Sequence, residues 1–461
     1  MFEIRAFQPV RLLEIELSQP LPSISTFDAR AQHHYRHARA LVRLHAQPIG
    51  LIDLELNGAE LAPNAYLNRI WEPLHQNINA HLRADGLPEI DQLTTAGIQS
   101  ATRPVCLQQR AQFLARAPFV SVIVCTRDRT EQLAQSLPVL LELAYPRFEI
   151  IVVDNAPKTD ATAKLIAQRY GDQVRYERED RPGLSWARNR GLQYARGDIV
   201  AFIDDDEIPS AHWLTVLASG FEISANVACV TGTILPAEIE TQPQDWFEQF
   251  GGHSKGRNFE RVIFNLTMDR TQNPFFPVPP FGAGGNMAFK TQVLRVLGGF
   301  DNAMGTGTPA LATEDTAAFF DILTRGYTLV FDPAATVRHY HYRDYAHLRR
   351  QLYAYGVGLT AFFTRSVLNQ PRCIVDLFAI VPKAVQYFFS PHSLRNAKMR
   401  DDYPSELTRR QLVGMMYGPV AYLRSRWHLR RIIKKFGSLE LDTTAHPNVG
   451  STKRVEAVGT R

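Results

Sequence analysis

Four consecutive carboxylates, Asp204, Asp205, Asp206 and Glu207, follow the apolar run from Ile199 to Ile203. Acids crowded in this way repel one another unless a cation or a polar ligand offsets their charge. Alone, the run reads equally well as a solvated acidic turn. Other residues with chemical potential stand in comparable places: Thr126 and Arg127 after one apolar run, Asp154 and Asn155 after another, and Gly284-Gly285-Asn286. Arg188 lies on a predicted helix, and Glu314 and Asp315 precede another. His339 and His341 share one face of an extended segment.

The elements that must position these residues follow from pattern. Short unbroken apolar runs at 118–125, 148–153 and 199–203 predict strands buried on both faces. Shorter strands are expected at 174–177 and 227–232. Helical spacing is seen from Thr130, with Leu133, Leu137 and Leu140 on one face, then at 160–170 with Asp160 as cap, at 184–195 and at 209–219. Alternation at this interval means βαβ units and a mostly parallel, Rossmann-like α/β sheet flanked by helices. The three long strands deliver Thr126, Asp154 and Asp204 to Asp206 at their C-terminal ends, the edge where such sheets bind ligands.

A chain of 461 residues, 45% hydrophobic and 21% charged, can bury two or three domains. Residues 1–116 read as a small accessory α+β domain. Its signs are strands at 40–45 and 50–56, a turn at Gln47 to Gly50, and a helix over 64–82 that Pro73 kinks or splits. His33, His34, His37 and His45 read there as surface or packing residues. Residues 117–345 form the α/β domain, 346–437 a helical basic region and 438–461 a mobile tail. Between Pro236 and Pro280 the aromatics Trp246, Phe247, Phe250, Phe275 and Phe276 mark a lid or binding loop, or packing beneath one.

Several classes are excluded. No GxGxxG follows the first strand, no GxxxxGK[ST] occurs, and Ser121 lacks a nucleophile elbow. The four cysteines form no CxxC pair, which argues against a zinc site or disulfide framework and for a reducing cytoplasm. No secretory signal is seen. The formal charge of +5 arises from the C-terminal region, with 14 Lys and Arg against 6 Asp and Glu after Pro391. The uncharged stretch 412–423 is too short for a transmembrane helix. Arg424, Arg426, Arg430, Arg431, Lys434 and Lys435 follow it, a pattern of peripheral membrane contact, of a solvated face or of an oligomer contact.

In this order, Val-Ser-Val-Ile-Val-Cys125-Thr-Arg-Asp, Val-Val-Asp154-Asn155, Arg188-Asn-Arg-Gly191, Ile-Asp204-Asp-Asp206, Gly284-Gly-Asn286 and Glu314-Asp315 resemble family 2 glycosyltransferases with the GT-A fold. The resemblance covers Pro118 to His341. It implies an inverting transfer of a sugar from a nucleotide-sugar donor to a hydroxyl acceptor, a glycan or lipid-linked precursor, with no nucleic acid involved. Asp154 would meet the base edge and Thr126 and Arg127 would lie along the nucleotide. Arg188 would contact phosphate or base, or form a structural ion pair. Asp204 would touch ribose or metal, with Asp205 beside it, and Asp206 would hold Mn2+ or Mg2+. His339 would complete the metal shell or pack near it. Gly285 and Asn286 would border the donor sugar, Asp315 would be the general base and Glu314 its neighbour. A sugar nucleotidyltransferase and a non-catalytic binding subunit are the alternatives. The base, sugar and acceptor are not specified.

Overall fold

The computed structural model describes residues 7–29, 31–254, 258–266, 275, 281–390, 392–393 and 395–443. The first part is a sheet of three strands, β1 (Val10–Glu16), β2 (His37–Leu44) and β3 (Gln47–Glu55), in that spatial order. β2 and β3 pair antiparallel, as alternation predicts. The turn between them falls at His45 and Ala46, both with positive φ, and not at 47–50, which already belongs to β3. Helix α1 (Pro63–Ala84) lays Tyr66, Ile70, Leu74, Ile78 and Leu82 on the sheet. It passes through Pro73 as a single element. Pro73 is exposed while apolar residues on either side of it are buried, so packing holds both halves on one axis despite the missing N–H. Helix α2 (Val105–Ala115) leads into the larger sheet.

That sheet has nine strands. In chain order the elements are β4 (Val120–Thr126), α3 (Thr130–Leu141), β5 (Phe148–Asn155), α4 (Ala161–Arg169), β6 (Val174–Glu179), α5 (Leu184–Tyr194) and β7 (Ile199–Asp204). Then come β8 (Glu207–Pro209), α6 (Trp213–Ser219), β9 (Val227–Pro236), α7 (Gln242–Gln249) and β10 (Val262–Phe264). They are followed by β11 (Met287–Lys290), α8 (Thr291–Val296), α9 (Glu314–Thr324) and β12 (Thr328–His339). The spatial order is β6-β5-β4-β7-β11-β9-β12-β8, with β10 on β12. The first four strands are parallel. Beyond them the sheet is mixed, because β11 runs antiparallel to both β7 and β9. Helices cover both faces, burying Leu133, Leu137 and Trp213 on one and Ala187, Leu192 and Phe319 on the other. Asp160 stands at the start of α4 but its side chain makes no capping bond; it pairs with Lys164 instead.

The aromatic stretch is more ordered than a structureless loop. Trp246, Phe247 and Phe250 sit on or beside α7 and pack against α10 (Tyr345–Asn369), and Phe275 stacks among Phe320 and Phe362. These four side chains are packing residues. Phe276 and most of the expected lid from 267 to 280 lie outside the described residues.

After α10 come α11 (Cys373–Phe389) and α12 (Ser405–Phe436). A side chain at Gly356, Gly414 or Gly418 would strike the facing helix, so α10 and α12 touch backbone to backbone. The segment after Ser438, expected to be a mobile tail, is described to Thr443 and lies along the main body. Leu441 joins the core beneath α5, and Gln193 and Gln292 donate to the carbonyls of Glu440 and Thr443. Among the described residues no helix is long and apolar enough to cross a membrane.

Candidate active site

Strand register assembles the site. Thr126 stands opposite Asp154, and Cys125 opposite Asp204, so Thr126 and Asp154 reach one edge at the same level and Asp204 stands one residue short of them. Asp154 is fully buried. Its Oδ2 accepts from the Tyr176 hydroxyl at 3.2 Å, while its Oδ1 has no hydrogen-bond partner among the described residues. Burial pushes this carboxyl above its ordinary pKa. A buried acceptor left without a donor is costly, and a ligand N–H would remove that cost. Thr126 and Arg127 diverge: Thr126 is buried and donates to Asp205, whereas Arg127 is exposed at the rim.

The acidic turn is divided by environment. Asp205 is buried and takes bonds from Thr126 Oγ1 at 2.7 Å and Arg129 Nη1 at 2.8 Å. Burial pushes its carboxyl up to about 7, against the pull of Arg129. Asp206 accepts from Arg129 Nη2 at 2.7 Å. Burial raises it, but nearby positive charge outweighs burial and it ends below the usual range. Asp204 is the most exposed of the three, and burial with the charge of Asp206 raises it. Glu207 turns back, accepting from the Asp204 amide at 3.2 Å. It lies so close to Gly285 that any β-carbon there would come within 2.3 Å of it.

A chain of histidines leads to Asp206. Glu248 Oε1 lies 2.9 Å from His341 Nε2, His341 Nδ1 lies 3.0 Å from His339 Nδ1, and His339 Nε2 lies 3.6 Å from Asp206 Oδ1. Glu248, a carboxylate, accepts from His341 Nε2. Burial lowers His339 to about 4, and the charges of His339 and Arg129 hold Asp206 below its usual range. His339 Nε2 and Asp206 Oδ1 thus face each other at 3.6 Å, an imidazole and a carboxylate of the types that ligate a divalent cation. His253 completes a group of three imidazoles with His339 and His341.

On the other side stands Arg188, fully buried. It donates to Glu314 at 2.6 Å, to the Gly284 carbonyl at 3.2 Å and to Asp204 at 3.4 Å. Of the two roles open to it, these bonds are those of a structural ion pair. Glu314, buried against Arg188, is committed to that pair. Asp315 follows in the first turn of α9, half-buried, with Oδ1 on the Thr316 amide at 2.6 Å. Its charge acts on Asp204 and Arg188. The turn before it is strained: Leu311 and Thr313 both have positive φ, rare for a β-branched residue. The Thr313 hydroxyl reaches the Gly358 carbonyl of α10 at 2.8 Å and so fixes that turn.

Asn286 is placed differently from the expectation that it borders a donor. It is fully buried, accepts from Trp213 Nε1 at 2.8 Å and donates to the carbonyls of Thr233 and Ala335. Its amide is used up in tying β9 and β12 to α6. Gly284 and Gly285 make room for Arg188 and Glu207. Arg129, His253 and Glu248 were not singled out by sequence reasoning, and Glu207 entered only as the last of the four carboxylates, with no role of its own. Arg129 alone had a usable signal, three residues after Thr126 in the same loop. Arg129, Asp205, Asp206, Tyr340 and Arg343 line a cleft of about 320 Å³ beside the acidic turn.

Residues 121–298 match the family model described as Glycosyl transferase family 2. A glucosyl-dolichyl phosphate glucuronosyltransferase of Haloferax volcanii is 25% identical over 231 residues, which are 48% of this chain and 68% of that protein. Glycosyltransferase AglE of the same organism is 32% identical over 101 residues, spanning 21% of this chain and only 33% of the relative. Among solved structures, a mannosyltransferase from Pyrobaculum calidifontis in complex with GDP-Man and Mn2+ superimposes with a TM-score of 0.39 at 20% identity, over 73% of this chain and 84% of the other.

Proposed function

We propose that this chain, whose residues 121–298 match the family 2 glycosyltransferase model, is a glycosyltransferase that moves a sugar from a nucleotide-sugar donor to a hydroxyl acceptor with inversion at the anomeric carbon. The observation that carries this reading is that Asp206 Oδ1 and His339 Nε2 lie 3.6 Å apart on the edge that also presents Asp154 and Asp315. Asp204, Asp206 and His339 would hold the divalent metal. When bound, Mg2+ or Mn2+ supplies positive charge to the leaving nucleoside diphosphate. Asp154 Oδ1 accepts an N–H from the nucleobase, with Thr126 and Arg127 alongside the nucleotide. Asp315 takes the proton of the acceptor hydroxyl, whose oxygen attacks the anomeric carbon as the bond to the diphosphate breaks. Arg188, paired with Glu314, keeps Asp204 and the turn before Asp315 in place.

The test is calorimetry with UDP-, dTDP- and GDP-sugars, with and without Mn2+, on wild type, Asp206→Ala and Asp315→Asn. Metal-dependent binding of one nucleotide class, lost in Asp206→Ala but kept in Asp315→Asn, which releases no nucleoside diphosphate, supports the reading. Full turnover by Asp315→Asn refutes the assigned base. Binding without turnover in wild type favours a non-catalytic subunit.

The acceptor is lipid-linked on this reading. The Haloferax volcanii relative is named for a dolichyl-phosphate substrate. Helix α11 exposes Val375 (68%), Phe378 (71%) and Val385 along one side, and α12 exposes Met416 (83%), Val420 and Leu423 ahead of its basic residues. Apolar and cationic groups together suit the surface of an anionic membrane. Co-flotation with anionic liposomes at low salt, abolished by Phe378→Glu, is the expected result, and its absence in wild type removes the membrane contact.

A further inference from the structure

In the N-terminal part, far from the acidic turn in sequence, four side chains of different chemistry converge. His45 Nδ1 lies 2.7 Å from Asp85 Oδ2 and 3.1 Å from His81 Nε2. His81 Nε2 is 3.1 Å and Cys106 Sγ 3.0 Å from the same Asp85 oxygen. All four atoms lie within 4.8 Å of one another. They come from three elements: the β2–β3 turn, the C-terminal end of α1 and the first turn of α2.

The cluster is closed on itself: Asp85 Oδ2 accepts from His45 and Cys106, and His81 Nε2 lies within reach of both His45 and Asp85. The same four donor atoms, two imidazole nitrogens, a carboxylate oxygen and a thiol sulfur gathered round one centre, are also a set that a metal ion takes up once the protons are released. Zinc bonds of about 2.0–2.3 Å in tetrahedral array put ligand atoms roughly 3.3–3.7 Å apart; the separations of 2.7–3.1 Å around Asp85 Oδ2 are shorter than the lower figure by about 0.2–0.6 Å, so the four groups move slightly outward to take up the ion.

The backbone supplies a second, independent observation. His45 and Ala46 form a two-residue turn with φ of 55° and 65°, where Asn-Gly is the usual pair. Ala46 does not favour that region, and the turn aims the His45 ring at Asp85. Outer partners hold the ligands. Glu16 accepts from the amides of both His45 and Ala46, Arg110 donates to the His45 carbonyl, and Asp85 Oδ1 takes the Cys106 amide. Such second contacts are what fix metal ligands in place.

We propose that His45, His81, Asp85 and Cys106 form a structural zinc site that fastens α2, and with it the approach to β4, to the N-terminal sheet. Two imidazoles, one carboxylate and one thiolate match zinc and not Mg2+ or Ca2+. Four protein ligands leave no open position for substrate, so the site is structural. Binding forms one bond from the metal to each ligand and releases the Cys106 thiol proton to solvent. The absence of a CxxC pair hides such a site from spacing rules, since its ligands are spread over sixty residues.

The test uses the full chain, purified without a metal-affinity tag. Elemental analysis is expected to find about one zinc per chain, retained on dialysis against Mg2+. The cobalt-substituted protein is expected to show thiolate-to-cobalt charge-transfer absorption, present in His339→Ala and lost in Cys106→Ser. His81→Gln, read by the same zinc content, covers the case in which Cys106→Ser does not fold. Wild type that takes up no stoichiometric zinc overturns the proposal. So does a cobalt form without the thiolate band, or zinc retained in both variants.

Discussion

Arg188 Nη1 donates to Glu314 Oε1 at 2.6 Å across the junction of α5 and α9, with both side chains buried. The pair ties the helix before the acidic strand to the turn that carries Asp315. Removing one charge strands the other where water cannot reach it. Glu314→Gln should therefore lower stability by about 3–5 kcal/mol in urea unfolding. A loss below about 1 kcal/mol would show that Asp204 and the Gly284 carbonyl suffice for Arg188.

Gly285→Ala puts a methyl group where the Glu207 carboxylate lies, 2.3 Å from the new carbon. Both residues are buried, so neither can step aside into solvent. We expect a cost of about 1–3 kcal/mol and a shifted acidic turn, read as a lower melting temperature together with weaker Mn2+ binding. An unchanged melting temperature contradicts this packing.

Among the described residues His341 bonds His339 and no other proposed metal ligand, Nδ1 to Nδ1 at 3.0 Å, and so orients that ring. His341→Ala releases that constraint. The expected outcome is a ten- to hundred-fold loss of divalent-ion affinity with little change in nucleotide affinity measured without metal. Equal loss of both would mean that the histidine chain supports the fold and not the ion.

Cys125 lies at the end of β4, opposite Asp204. Burial pushes its thiol up to about 12, above the ordinary value of about 8.5. A raised thiol pKa means less thiolate at every pH below it. In the native protein its alkylation rate should still be climbing at pH 10, where an ordinary thiol has levelled off. Peptide mapping after iodoacetamide treatment reads this directly, and a plateau near pH 9 goes against it.

Much of this was legible in the chain. The runs ending at Thr126, Asp154 and Asp204 gave three adjacent parallel strands and one polar edge, because period and length are local properties. The roles of Asn286 and Arg188 were not legible. Whether an amide faces a ligand or two carbonyls depends on where β9 and β12 pass, and that is set by long-range pairing. The His45 turn escaped for a similar reason. A His-Ala pair gives no turn signal, and only the convergence with α1 and α2 makes the turn intelligible. For Phe247 and Phe250 the sequence left a ligand role and packing side by side, and only their place beneath α10 decides for packing.

Glu14 on β1 pairs with Arg338 on β12, a partner 324 residues away. At roughly 5–20 residues per second of synthesis, Glu14 waits about 16–65 seconds for Arg338 to be made. Its nearer partner, Arg43, is made only 29 residues later, and the N-terminal strands have a core of their own, from Ile15 to Ile98, to close meanwhile. The surface that β1 presents to the rest of the molecule must stay open and unaggregated while the ribosome completes the other side. A charged residue at that position, in place of an apolar one, keeps the waiting surface in water until its partner arrives.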